Sequence, residues 1–221
     1  MKAGGWDPYN VTEDADLGIR LARHGYATAT IWSTTREDAP RHFVPWLRQR
    51  SRWFKGWWQT WLVHMRSPLA LLRDLGPKGF TAFQLTLLAV LVSMLIHPFF
   101  FAAIVWSTIE LVRAPPAADS LETLLYGLAC ANFLLGYVAA GALIWAGGLR
   151  RGLPNASPWV TVQIPVYWLL MSAAGYLALW ELIWRPHHWH KTPHTPAKQS
   201  AEIEDDPTAK WATQPHFQTA E

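Results

Sequence analysis

Between residues 43 and 66 the apolar positions recur on a helical period. At 100° per residue, Trp46, Trp53, Phe54, Trp57, Trp58, Trp61, Leu62 and Met65 share one broad arc, with Arg48, Arg52, Lys55, Gln59 and Arg66 opposite. Pro45 suits a first helical turn, and no further proline follows before Pro68. A tryptophan-rich face backed by Lys and Arg suits a helix lying in a membrane interface. Arg50 projects from the middle of the aromatic arc and requires a π-face or an anion there.

Further along, the apolar positions become continuous. Segments 80–106, 121–146 and 159–184 each exceed the ~20 residues of a bilayer crossing. Trp106, Trp145, Trp159 and Trp184 mark their ends as an aromatic belt does. Pro98 predicts a kink in the first segment, and Gly136, Ala140 and Gly141 offer close packing in the second. A short interfacial helix is expected over 67–75, closed by Gly76-Pro77.

Residues 1–40 are mixed rather than apolar. Thr12 is placed as the N-cap of a helix over 13–24, with Glu13, Asp14 and Asp16 in the first turn, where the helix dipole favours acids. Leu17 and Leu21 give this helix its expected buried side, Ile19 points away, and Gly25 ends it. A strand is expected over 27–32. One helix, one strand and a turn do not close an α/β core, so 1–40 is expected to be the end of a larger domain. The fold expected is mainly α: the truncated end of an α/β domain (1–40), interfacial amphipathic helices (41–78), a transmembrane bundle (79–186) and a disordered tail (187–221) rich in Pro, Thr, Gln and acids.

Composition reinforces the membrane reading: 51% of residues are hydrophobic, 15 are Trp and only 16% are charged. A net charge of +3, with basic residues beside apolar segments, favours a membrane surface over nucleic acid. Cys130 is the single cysteine, so no intrachain disulfide forms, and residues 1–10 lack the apolar core of a signal peptide. Arg48, Arg50, Arg52, Lys55, Arg66, Arg73 and Lys78 place the region before the first span on the cytoplasmic side. The 107–120 loop goes outside and the 147–158 loop, with Arg150-Arg151, returns inside. Three crossings would put the tail outside although it opens with Arg185 and Lys191, which leaves its side open.

The candidate chemistry begins at the edge between the two faces of the 43–66 helix. Gln49, Arg52 and Trp53 are helical neighbours around the bare backbone of Gly56, an arrangement able to hold a sugar or a phosphate. Thr12-Glu13-Asp14 and Gln49-Arg50-Ser51-Arg52-Trp53 together resemble the TED and Q-x-x-R-W motifs of inverting, membrane-bound family 2 glycosyltransferases, the group that includes cellulose-synthase-like enzymes. The resemblance is specific from Gly4 to about Arg66, and looser over the apolar spans.

The resemblance implies a division of labour. Asp14 matches the general base that deprotonates the acceptor hydroxyl, with Glu13 beside it in the motif. Trp53 matches the aromatic that stacks on the acceptor sugar. Gln49 and Arg52 match groups near the donor pyrophosphate and the acceptor. The family also implies a nucleotide-sugar donor (a UDP-sugar), a glycan or lipid acceptor, a divalent Mg or Mn ion, and a place in polysaccharide synthesis at the inner (plasma) membrane, with the active-site side cytoplasmic. The family's donor-binding N-terminal half, with its D-x-D motif, has no counterpart in residues 1–221. The chain therefore reads as a C-terminal piece, inactive alone and completed by that half. No metal ligand is assigned: Asp14-Ala15-Asp16 spells D-x-D, but i and i+2 on a helix point apart. His187, His188, His190 and His194 read as a polar tail rather than a metal site, and Trp189-His190-Lys191-Thr192-Pro193-His194 resembles a short W-x-K-T-x-H tail of related synthases. The rival readings are a non-catalytic membrane subunit docking a partner or anionic lipid, and a truncated reading frame.

Overall fold

The computed structural model describes residues 4–7, 10–29, 40, 42–113, 121–150 and 159–188. Helix α1 (Glu13–Arg23) is short, and α2 (Phe43–His64) carries the tryptophans. Helix α3 (Pro68–Phe83) runs through a π-helical segment, Gln84–Ala89, into α4 (Val90–Arg113). Helices α5 (Leu121–Arg150) and α6 (Trp159–Trp184) complete the order. No strand occurs among the described residues. Residues 27–29 of the expected strand are irregular, and 30–32 lie outside the described residues.

Local chemistry sets the helix ends. After α1, Gly25 adopts φ 78°, its N–H bonds the Ala22 carbonyl (3.0 Å) and the Tyr26 N–H bonds that of Leu21 (3.1 Å). This is the paired C-terminal closure that a left-handed glycine permits. At Gly76 the backbone turns out of the helix (φ 68°, ψ 172°) just before Pro77, so α3 is two short helices joined at the expected break.

Three helical stretches are long and apolar enough to cross a membrane: Pro68–Arg113, which includes the break at Gly76, Leu121–Arg150 and Trp159–Trp184. The first extends past Trp106 to Arg113, so the expected 107–120 loop is helical for half its length; 114–120 lies outside the described residues. The α4 helix continues through Pro98. Small residues set the spacing of α5 on α6: a Cβ at Gly141 would lie 2.2 Å from Thr161 Oγ1, whereas one at Gly136 meets nothing. Buried in the three-helix packing, the Tyr137 hydroxyl (α5) lies 3.2 Å from His97 Nε2 (α4), and the Trp168 ring (α6) packs against both.

Helix α2 packs along α6, and its aromatic arc is the contact surface. Phe54, Trp57 and Trp58 pack with Leu91, Ala174 and Ala178. On the other flank Trp57, Trp61 and Met65 pack with Leu71, Phe83 and Leu87. Gln84 opens the π-helical segment and ties it to α2, accepting from Trp61 Nε1 (2.8 Å) and donating to Met65 Sδ (3.1 Å). The tail expected to be disordered lies, from residue 189 onward, outside the described residues.

Candidate functional site

Helix α1 docks on α2 through its polar side. Thr12 occupies the N-cap position, but its hydroxyl makes no cap bond. It lies against Gly56 instead, where a Cβ would stand 2.3 Å from Thr12 Oγ1. The gap read at Gly56 as room for a sugar or phosphate is therefore filled by a side chain from 44 residues earlier in the chain. One residue pair further, Asn10 Nδ2 donates to Thr60 Oγ1 (2.8 Å), and Asn10 Oδ1 accepts from the Thr12 N–H (3.0 Å).

The far end of α1 is held by ions. Buried Asp16 accepts from Arg20 Nε (2.7 Å) and faces His64 Nε2 at 3.1 Å. Arg23 Nη1 lies 3.2 Å from His64 Nδ1, and both Nε and Nη2 of Arg23 bond Asp74 of α3. A guanidinium only donates, so Nδ1 of His64 accepts and Nε2 carries the proton given to Asp16. That hydrogen bond is the main cause holding the Asp16 carboxyl below its ordinary range; burial opposes it and Arg20 adds to it. Ile19, expected to point away, packs on the Leu71–Phe83–Leu87 cluster, while Leu17 and Leu21 are only half-buried. The docking face of α1 is thus Thr12, Asp16, Ile19 and Arg23. An apolar tally misses it because three of its four members are polar.

This docking sets the start of α1 against α2 one turn beyond Arg52. Glu13 and Asp14 are exposed there, and Asp14 Oδ1 accepts from the Ala15 N–H (2.8 Å). Asp14 and Asp16 diverge, one to solvent and one into the Arg20–His64 pairings, and no group of three or more His, Cys, Asp or Glu able to hold a metal occurs among the described residues. These residues do not fit the divalent ion that the family resemblance implies.

On α2, Gln49, Arg52 and Trp53 are half-buried. The Arg50 guanidinium lies 4.2 Å from the Trp53 ring centroid and 5.9 Å from that of Trp46, which answers its need for a π-face. One face of Trp53 is thereby covered, which leaves at most the other for a ligand. Arg52 Nε and Gln59 Oε1 are buried without a hydrogen-bond partner. Lys55, expected on the solvated face, is 1% exposed. Its ammonium donates to the carbonyls of Arg185 (2.7 Å) and His188 at the end of α6. Burial pushes the Lys55 amine below its ordinary value, with nearby Glu181 pulling the other way. A positive charge just past a helix C-terminus is favoured by the dipole there, and two carbonyl acceptors offset the burial of the ammonium.

The chain matches the profile of the glycosyl transferase family group 2 over residues 1–190 and belongs to that family. The comparisons found no match among curated proteins or solved structures.

Proposed function

We propose that this chain carries the acceptor side and the general base of a membrane-bound, inverting, cellulose-synthase-like glycosyltransferase. The carrying observation is the Thr12–Gly56 contact, which joins the Thr12-Glu13-Asp14 turn to the helix bearing Gln49, Arg52 and Trp53. In the reaction, the acceptor hydroxyl oxygen attacks the anomeric carbon of a UDP-sugar, the bond from that carbon to the diphosphate oxygen breaks, and UDP departs with the electron pair. The acceptor proton passes to the exposed carboxylate of Asp14. Trp53 stacks the acceptor on the ring face that Arg50 leaves, and Arg52, with Gln49, offsets charge on the departing diphosphate. The basic residues before the first span put this side in the cytoplasm, at an inner membrane. Nucleotide and metal are left to groups outside the described residues, and a glycan or lipid is the acceptor.

The test supplies those groups. The chain is reconstituted in lipid nanodiscs, alone and with a family 2 donor-binding α/β domain, and transfer from a panel of UDP-sugars is measured. Transfer in the reconstituted pair, with Trp53→Ala raising the acceptor KM more than the donor KM, is the expected result. No transfer from any donor, or equal effects on both KM values, contradicts the reading.

A further inference from the structure

Helices α4 and α5 form an out-and-back pair. Thr108 Oγ1 lies 2.7 Å from the Tyr126 hydroxyl, Phe101 packs on Phe133, and His97 meets Tyr137, so the two run antiparallel. The start of α4 is the end nearest α2, where Leu91 packs with Phe54. Helix α5 therefore begins beside the far end of α4 and returns toward α2, its last residue about 20 Å beyond Tyr137 at a rise of 1.5 Å per residue.

Helix α6 does not repeat the outward crossing. Its Thr161 lies against Gly141, one turn to the α2 side of Tyr137, and its Trp168 ring packs on His97 and Tyr137. From there it runs back along α4: Gly175 faces Met94 and Leu95, the Tyr176 hydroxyl donates to the Leu95 carbonyl, and Ala178 packs with Leu91. Along α4 and α5 these contacts put Trp168 deepest, with Thr161 before it and Ala178 after it both nearer α2. The cavity between the far halves of α4 and α5 is lined by residues of those two helices alone. Just past Trp184, the Arg185 and His188 carbonyls accept from Lys55 on α2 itself. Pro165, inside α6 before Trp168, permits a bend at the entry.

We infer that α6 is a re-entrant helix that enters and leaves the membrane on the side of α2. The chain after Trp184 then opens on the side where the Thr12-Glu13-Asp14 turn docks, with Lys55, one turn along from Arg52, holding the exit. The charges agree. Arg150-Arg151 before α6 and Arg185 and Lys191 after it share one side with Arg48, Arg52 and Arg66, as the positive-inside rule favours, whereas a third crossing would part them. This topology does not depend on sugar transfer.

The experiment uses the full chain in a Cys130→Ser background, expressed in bacteria and labelled with a membrane-impermeant maleimide in intact spheroplasts and again after lysis. Arg66→Cys reports the end of α2, Arg113→Cys the far end of α4, and His187→Cys the turn after α6; all three positions are exposed. With α2 in the cytoplasm, only Arg113→Cys is expected to label before lysis and all three after it, so that His187→Cys matches Arg66→Cys. Labelling of His187→Cys together with Arg113→Cys, and apart from Arg66→Cys, shows that α6 crosses and overturns the assignment. All three on one side overturns it too, because α4 and α5 then make no out-and-back pair across the membrane. Pro186→Cys, exposed in the same turn, replaces His187→Cys should that variant not accumulate, and is read in the same way.

Discussion

The Thr12 side chain is seated on Gly56 so closely that a single added carbon on the glycine would lie 2.3 Å from the hydroxyl oxygen and 2.8 Å from Cβ of the threonine. The Thr12 Cβ is fixed by its backbone, so turning the side chain moves the hydroxyl and the methyl but leaves that contact in place. Gly56→Ala is expected to lift the start of α1 from α2 and destabilise the docked state by about 1–3 kcal/mol, the usual cost of overpacking. Hydrogen exchange along residues 13–23 reads the loosening. Adding Thr12→Gly removes the clashing atoms and should restore protection in part. Unchanged exchange in Gly56→Ala would show that the two helices are not in contact there.

The other end of α1 makes the docking sensitive to acid. The Asp16 carboxyl is held below its unfolded value of 3.8, first by the His64 hydrogen bond. A depressed carboxyl contributes stability that is complete above its unfolded value and is lost as pH falls through the lower, folded one. Docking is therefore expected to be level above about pH 4 with respect to this group, and to weaken below it. Anisotropy of a probe on Ala22→Cys, in a Cys130→Ser background, follows the release. Asp16→Asn should loosen α1 already at neutral pH and remove the acid transition; a transition that persists in Asp16→Asn belongs to another group.

Within the bundle, Gly141 lies against α6, where a Cβ would meet Thr161, whereas one at Gly127, Gly136 or Gly147 meets nothing within 4 Å. Gly141→Val places its Cβ on the Thr161 side chain, and the melting temperature in detergent should fall by several degrees, as an overpacking loss of about 1–3 kcal/mol implies. Gly136→Val, where a Cβ meets nothing within 4 Å, is the matched control and should leave it level. Equal effects at the two sites would contradict the packing described.

Much of this architecture was legible in the chain. The third long apolar helix has the bounds read from its sequence, 159–184, because a long apolar run declares itself even with Pro165 and Glu181 inside it. Gly25 and the Gly76-Pro77 pair ended helices where their backbone chemistry says they must. Arg50, stranded in an aromatic arc, found Trp53. What periodicity did not disclose are relationships across long stretches of chain. Lys55 reads as solvated until the turn after α6, 130 residues later, brings the Arg185 and His188 carbonyls to its ammonium. The room at Gly56 reads as a ligand gap until Thr12 fills it, and Asp16 reads as a first-turn acid answering the helix dipole until His64 comes from 48 residues away. Each is a polar residue whose inward direction depends on a partner, and a single-helix pattern contains no partner. The unpaired oxygen of Gln59 belongs to the same class, since only the packed structure shows that nothing in the protein meets it.

Asp14, the exposed acid at the start of α1, is the proposed acceptor of the proton. Its most direct test is the rate of sugar transfer by Asp14→Asn in the reconstituted pair, measured in a single turnover with donor and acceptor both saturating. Asn keeps the size and the hydrogen bond from the Ala15 N–H but is no base. A loss of roughly 10²-fold or more is expected, with donor affinity close to that of wild type and partial recovery in Asp14→Glu. Transfer at the wild-type rate in Asp14→Asn would contradict it.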